Sequence, residues 1–286
     1  MQNMLCKLHD EIVFMSEPRT TRPFLKWAGN KYRLMHRILP LLPEGGRLIE
    51  PFAGSCALFL NTDYRLNVLN DANADLITLY TTLQDEGDEF IAYIKSWFVE
   101  RNNNETTYYR FRKNFNETDD PYLRVALFVY MNRHGYNGLC RYNNQGGFNV
   151  PFGRYKRPYF PEQEMRHFHA QAKQARFTNE CFLTAMRKAR RGDVVYCDPP
   201  YVPLTKTANF TAYSAGGFSE QEQLALAEQA EKLAARGVTV VVSNHDTPFT
   251  QHVYRNAECT TFPVRRTISC NAKRRGYAGE VLALFN

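Results

Sequence analysis

The chain has 286 residues and carries 36 lysines and arginines against 29 aspartates and glutamates, a formal charge of +7. That length suits one large domain carrying an insertion, and the positive balance favours a polyanionic partner, most simply nucleic acid. Seven scattered cysteines without a CxxC pair or metal-ligand spacing read as reduced thiols of a cytoplasmic protein with no metal site. No uncharged run approaches the ~20 residues of a membrane span.

Residues 1–21 are no signal peptide, because Asp10 and Glu11 interrupt their one apolar stretch; they read as a flexible N-terminal extension. Leu34, Met35, Ile38 and Leu39 have helical spacing, and residues 47–51 read as a strand. The small-residue turn Phe52-Ala53-Gly54-Ser55 follows, then a short apolar helix to Leu60 and a second strand from Leu66 to Asn70, ending at Asp71. From about residue 73 to 161 the texture turns to Tyr, Phe, Asn and Arg. Asp120-Pro121 opens a helix, with a capping side chain and proline at the first helical position. The turn-prone Asn143-Asn144-Gln145-Gly146-Gly147, flanked by 139–142 and 148–151, is a hairpin signature.

After 161 the α/β pattern returns. Strands are expected at 193–197, 238–243 and 281–285, with a helix opened by the capping box Ser219/Glu222 and ending near Gly237. Short strands alternating with helices imply a mostly parallel sheet with helices on both faces, where ligands bind beyond the carboxyl ends of the strands. Gly54, Asp71, Asp198 and Asn244-His245-Asp246 all fall at such ends.

Asp198-Pro199-Pro200-Tyr201 is the most informative of these. The lone pair of an exocyclic ring amine is delocalised and poorly nucleophilic. A carboxylate and the Pro199 carbonyl can take its two hydrogens and turn the lone pair outward, while Tyr201 stacks on the ring. The Gly54 turn lets backbone approach a ligand closely, and Asp71 is placed to accept from ribose hydroxyls. No GxGxxG occurs, which fits an adenosine ligand without phosphates, S-adenosyl-L-methionine. Taken alone, the glycine is an ordinary tight turn and Asp71 a turn former. In the hairpin Leu139, Arg141 and Asn143 alternate and share a face. Arginine beside an apolar residue suits a guanine next to a thymine methyl. Residues 154–159 interleave basic and aromatic side chains as a phosphate-contacting edge does. A basic stretch at Arg265, Arg266, Lys273, Arg274 and Arg275 is equally a loop over DNA or a solvated charged loop. His245 and Asp246 read as pocket lining, since methyl transfer to a neutral amine requires no strong base.

These residues resemble the amino-group DNA methyltransferases, specifically the DNA adenine methylases that modify GATC. The matching stretches are 24–31, 50–54, 71–73, 132–143, 148–155, 198–201 and 243–247, in the family's order. The resemblance implies a Rossmann-like S-adenosylmethionine-dependent α/β catalytic domain over 22–72 and 162–286. A mainly helical target-recognition domain with a β-hairpin is inserted at 73–161. It implies Asp198, Pro199, Pro200 and Tyr201 as catalytic residues. Around the cofactor it implies Trp27, Ala28, Gly29, Lys31, Glu50, Phe52, Gly54, Asp71 and Asp198. On DNA it puts Lys26 at the outer guanine, Arg141 at the inner guanine, Leu139 and Pro151 beside thymine methyls, and Tyr136 and Asn137 at the gap left by a flipped adenine. Asn143 shares the hairpin's base-reading face, and Arg112, Arg154 and Tyr155 contact chiefly the backbone. The implied enzyme is a monomer that binds double-stranded DNA, without metal or membrane, in the cytoplasm. It serves a host chromosome in replication and mismatch repair, a phage, or a restriction-modification system. Two positions depart from the family, which commonly has glycine at Asn30 and Cys56; asparagine tolerates positive φ, and cysteine tolerates it less. Competing readings are an amino methyltransferase for cytosine N4 or RNA, and a catalytically impaired sequence-specific DNA-binding protein.

Overall fold

The structure, a computed structural model, describes residues 20–202, 218–265 and 277–286. Most of the expected N-terminal extension and the basic residues Arg266, Lys273, Arg274 and Arg275 lie outside these. In chain order the elements are α1 (Met35–Ile38), β1 (Arg47–Glu50), β2 (Leu66–Asn70), α2 (Ala74–Lys95), α3 (Glu105–Glu117), α4 (Pro121–His134), α5 (Glu162–Ala172), β3 (Ala175–Thr178), α6 (Phe182–Arg187), β4 (Val194–Cys197), α7 (Glu220–Ala234), β5 (Thr239–His245), α8 (Pro248–Val253), β6 (Glu258–Arg265) and β7 (Tyr277–Phe285).

One seven-stranded sheet has the order β3-β2-β1-β4-β5-β7-β6. β1 to β5 run parallel and β7 runs against both its neighbours. The central strands are buried on both faces, and their residues divide by the two-residue period. Ile49, Val195, Cys197, Val240 and Val242 pack with Leu226, Ala230 and Leu233 of α7. Leu48, Val194, Tyr196 and Val241 pack on the other side with Met35 and Ile38 of α1. This is a doubly wound, Rossmann-like α/β sheet. Its strand order reverses between β1 and β4, so a crevice opens beyond their carboxyl ends, where Glu50 and Asp198 stand.

The largest cluster joins this sheet to the helical insertion without a break. α2 makes the join. Before its kink, Tyr80 packs on Phe24, Phe168 of α5 and Phe177 of β3. After it, Phe90 and Tyr93 pack on Tyr122 of α4. The kink is at Gly87, with φ 48° and ψ −115°. There His169 Nδ1 reaches the Leu83 carbonyl at 2.8 Å, supplying a donor where a bent helix leaves a carbonyl short. α4 starts as expected: the Asp120 carboxylate accepts from the Tyr122 N–H at 2.9 Å and Pro121 opens the first turn. Every residue from Val125 to His134 is buried, as a helix apolar around most of its girth demands.

Two local expectations change, and the edge strand β6 was not expected. The short apolar helix to Leu60 is a set of turns with one 3₁₀ turn at Phe59–Asn61, because Cys56 sits at φ 58° and breaks any helical run. The last strand begins at Tyr277, four residues earlier than its apolar run, because it pairs along its whole length with β6. β6 itself carries Pro263 inside a polar sequence, a residue tolerated there because this strand is the sheet edge.

A methyl group at position 87 would lie 2.6 Å from the His169 ring and force a side chain into the left-handed region. Gly87→Ala is therefore expected to lower unfolding free energy by at least ~1 kcal/mol, measured by urea denaturation. Gly46→Ala, where a methyl meets nothing within 4 Å, serves as the control and should leave stability unchanged or slightly raised.

Candidate active site and recognition surface

Asp198 follows β4 directly, and β4 is registered so that Cys197 faces Val242 of β5. The next pair in line is therefore Asp198 and Ser243, and the Ser243 hydroxyl donates to Asp198 Oδ1 at 3.0 Å. Lys31 comes from the opposite direction, out of the 3₁₀ turn after Asn30. Its buried ammonium lies 2.8 Å from the same oxygen, donates to the Gly29 carbonyl at 2.6 Å, and sits 4.5 Å from the centre of the Tyr201 ring. Burial raises the Asp198 carboxyl, while Lys31 and then Ser243 pull it down. Both partners occupy Oδ1, and Oδ2 takes no hydrogen bond from the described residues.

The chain after Asp198 is fixed mainly through its backbone. Gln223 of α7 donates to the Pro200 carbonyl at 2.9 Å, and Asn244 Oδ1 accepts from the Val202 N–H at 3.2 Å. Asn244 Nδ2 in turn donates to Gln223 and to the Tyr254 hydroxyl, each at 3.0 Å. This buried amide lattice holds the Pro-Pro turn. The Pro199 carbonyl accepts no hydrogen bond from the described residues. Tyr201 donates to Glu280 of β7 at 3.2 Å and meets the His245 ring edge-on, centroids 4.7 Å apart. His245 Nδ1 faces the Val202 carbonyl at 2.9 Å, so its visible work is to shape the loop.

A second group of residues gathers at the ends of β1 and β2. Gly54 has φ 48°, and a methyl there would lie 2.9 Å from Trp27 Nε1, so only glycine lets the turn and the indole meet. Asp71 accepts from the Gly54 N–H through Oδ2 and from the Asn73 N–H through Oδ1, both at 2.9 Å; each oxygen keeps a second lone pair. The Tyr80 hydroxyl holds the Gly54 carbonyl at 2.6 Å. Glu50 is buried and accepts from the Phe59 N–H at 3.0 Å; burial, then nearby Asp198, pushes its carboxyl up to about 8 against the pull of that bond, so it holds a proton at neutral pH. Phe52 belongs to an aromatic group with Phe182 and Phe218, at 5.2 and 5.5 Å. Ala28 and Gly29 form the turn before Lys31, with Gly29 at φ 75°. Asn30 is not at positive φ. It lies at φ −52° and caps the 3₁₀ turn by accepting from the Tyr32 N–H at 2.7 Å, so its role is capping and the positive φ belongs to its neighbour. Cys56 does hold positive φ and is fully buried.

The segment expected to read DNA forms a hairpin with one bridge at Tyr142–Phe148 and a second pairing of Gly135 with Phe152, without a continuous ladder. The alternation survives: Cys140, Phe148 and Val150 are buried, and Arg141 and Asn143 are exposed. Leu139 is half-buried and Pro151 exposed, its carbonyl accepting from the Tyr136 N–H at 2.8 Å. Arg141 folds across the hairpin, donating through Nε to Asn149 Oδ1 at 2.7 Å. Asn143 accepts from Gln145 and Gly147 N–H groups, at 3.0 and 2.8 Å, and so makes the turn itself. Arg112 gives one N–H to the Val150 carbonyl at 3.1 Å, bracing the hairpin. Tyr136 projects, 51% exposed, beside Asn137 at φ 54°, whose N–H donates to the Tyr155 hydroxyl at 2.9 Å. The Lys26 ammonium covers the other side of Tyr155, 4.2 Å from its ring. Arg154 is exposed, with Glu105 3.8 Å away.

Several of these organising residues carry no motif of their own. Asn132 binds the Lys26 N–H at 3.0 Å and the Lys26 and Gly138 carbonyls at 2.7 and 3.2 Å, pinning residues 24–31 to the recognition turn. Asn70 donates to the Pro51 and Glu180 carbonyls at 3.0 Å and clasps the loops after β1 and β3. Their one signal is an amide inside an otherwise apolar run, a pattern that marks a buried polar group without telling what it binds.

Residues 27–268 match the family model of the D12 class N6 adenine-specific DNA methyltransferases. The chain belongs to this family. It is 49% identical over 265 residues to a protein of Vibrio cholerae serotype O1 (El Tor Inaba N16961) named DNA adenine methylase, covering 92% of this chain and 96% of that one. Proteins of the same name match from Escherichia coli strain K12, 49% over 267 residues (93% and 96% covered), and Serratia marcescens, 48% over 268 residues (93% and 99%). The chain is thus an adenine-specific DNA methyltransferase with a Rossmann-like methyltransferase fold. Among the described residues of the enzyme no helix is long and apolar enough to cross a membrane.

Lys31 is the leading force holding the Asp198 carboxyl down against burial. Lys31→Met should move that carboxyl's titration to higher pH, and Ser243→Ala should move it less. Carboxyl-carbon NMR of selectively labelled enzyme reads both; an unmoved titration in Lys31→Met would remove the ammonium as the cause.

Proposed function

We propose that the enzyme transfers a methyl group from S-adenosylmethionine to N6 of an adenine flipped out of duplex DNA, within GATC. The observation that carries this reading is the Asp198 group. A carboxylate with one oxygen saturated by Lys31 and Ser243 and the other open stands next to a proline carbonyl and an aromatic ring at the sheet's reversal point.

The residues at the ends of β1 and β2 fit the cofactor. The side-chain-free approach at Gly54 against Trp27 makes room for it. The spare lone pairs of Asp71 suit a ribose diol, and the Phe52–Phe182–Phe218 group suits a flat purine. When bound, S-adenosylmethionine supplies a methyl group on an electron-poor sulfonium. The chain's own work is positioning. Asp198 Oδ2 and the Pro199 carbonyl accept the two hydrogens of the adenine amine and turn its lone pair away from the ring. Tyr201, held by Glu280 and His245, packs on the purine face. The Asp198 charge stabilises the positive charge that develops on N6.

The insertion, residues 73–161, acts as the target-recognition domain. Arg141 reads a guanine in the major groove, Leu139 and Pro151 meet thymine methyls, and Lys26 reaches the outer guanine. Projecting Tyr136 and the left-handed Asn137 beside it support a wedge that occupies the gap left by the flipped base. Asn149, which now receives Arg141, pre-orders the guanidinium. Arg112, Arg154 and Tyr155 serve phosphates, and Asn143 acts by shaping the turn.

Tritium-methyl transfer to defined duplexes, followed by nucleoside analysis, tests the reaction: label should appear in N6-methyladenine from GATC duplexes, and label in N4-methylcytosine would overturn the reading. Asp198→Ala should abolish turnover while DNA binding persists. Arg141→Ala should relax discrimination at one guanine by ~1–3 kcal/mol, read as the ratio of kcat/KM between GATC and single-substituted duplexes; an equal loss on all sequences would make Arg141 a phosphate contact.

A further inference from the structure

Three consecutive hairpin residues divide their work. Arg141 faces outward, and its neighbours turn inward onto the first turn of α2. The Tyr142 hydroxyl donates to Asp75 Oδ2 at 2.6 Å, and the Cys140 sulfur accepts from Asn73 Nδ2 at 3.6 Å. Asp75 is clamped from its other side by the Arg124 fork, at 2.6 and 3.2 Å. Arg124 also donates to the Phe115 carbonyl at 2.7 Å and lies over the Phe115 ring. Asn73 is a junction. Its side chain caps α2 through the Leu76 N–H at 3.1 Å, and its own N–H donates to Asp71 Oδ1 at 2.9 Å. Asp71 in turn holds the Gly54 N–H. Direct contacts therefore lead from Cys140 through Asn73 to Asp71 and the glycine turn of the cofactor site, and Tyr142 joins them through Asp75, which stands in the helical turn that Asn73 caps.

We propose that Tyr142, through Asp75 and the α2 N-terminus, is a positioning residue that couples readout of the DNA site to cofactor binding. The proposal rests on the cofactor and hairpin roles given above. When Arg141 engages its base, the hairpin is fixed. Cys140 and Tyr142 then hold Asn73 and Asp75, and with them Asp71, in one arrangement. The cofactor pocket is ordered by the correct sequence and not by any duplex. Linkage makes the effect reciprocal, so cofactor also tightens binding of the cognate site by the same factor. Arg154 and Tyr136 are exposed and Arg112 ends on the hairpin backbone; the other join to the site, Asn132 between Gly138 and Lys26, serves the turn at 136–138 and not the neighbours of Arg141.

The test is a binding cycle with full-length enzyme, using sinefungin as a non-transferring cofactor analogue and measuring its affinity alone, with a GATC duplex, and with a scrambled duplex. In the wild type the GATC duplex should raise sinefungin affinity by ~5-fold or more, and the scrambled duplex should not. Tyr142→Phe keeps the ring against Phe115 and Phe148 and removes only the hydroxyl. It should bind sinefungin alone as the wild type does, yet lose most of the enhancement. Cys140→Ala should lose part of it. Retention of the full factor in Tyr142→Phe overturns the proposal, as does a wild type with no enhancement. Equal weakening of all three affinities with their ratio intact also overturns it, because Tyr142 would then merely support the fold. A wild type that binds sinefungin in no condition overturns the cofactor reading itself, an outcome distinct from binding without coupling.

Discussion

The meeting of Lys31 with Asp198 is the interaction on which the site depends. It brings together two stretches separated by most of the chain, and it does so at the reversal point of the sheet. A carboxylate half withdrawn from water at the end of β4 is costly unless a partner compensates it. Lys31 and Ser243 supply that compensation on one oxygen only. The other oxygen takes no hydrogen bond from the described residues, so the same pair that makes the half-buried charge tolerable leaves it an acceptor.

Around that pair the molecule uses amides to hold main chain. Gln223 and Asn244 grip the Pro-Pro turn, Asn70 grips the loop before Gly54, and Asn132 grips residues 24–31. Each presents donor and acceptor at once, so Asn70, Asn132 and Asn244 each satisfy two or three backbone groups that a loop would otherwise leave unpaired, and Gln223 satisfies one while bracing Asn244. Loops carry the candidate site residues, and buried amides anchored on helices and strands give those loops the precision of the sheet. α2 extends the same frame into the insertion. Its kink at Gly87 lets one helix serve both the sheet and the recognition helices, and no gap in the core separates the two.

Much of this was legible in the chain. Apolar runs of period two, the Asp120-Pro121 start and the Ser219/Glu222 box name their elements because each signal is local, with donor and acceptor within three residues of one another. Asp198 to Tyr201 was readable for the same reason. Asn30 shows the limit. Its type suits either positive φ or a helix cap, and only the observed backbone chooses the cap. Asn143 and Arg112 show another limit. Both read as polar groups for DNA, and both spend part of their hydrogen bonding on the hairpin, because a short two-bridge hairpin needs side chains to replace a ladder. β3 and β6 went unread because an edge strand need not alternate.

By itself the sequence determined the kind of fold and the family, since these rest on neighbours along the chain. Tertiary structure alone decided which charge compensates Asp198, that Tyr142 and Cys140 rest on the start of α2, and that His169 fills the notch at Gly87. Those pairs lie between 67 and 167 positions apart. No local spacing encodes such contacts, because they exist only once the sheet and the insertion have packed and the register of each strand has chosen its partners.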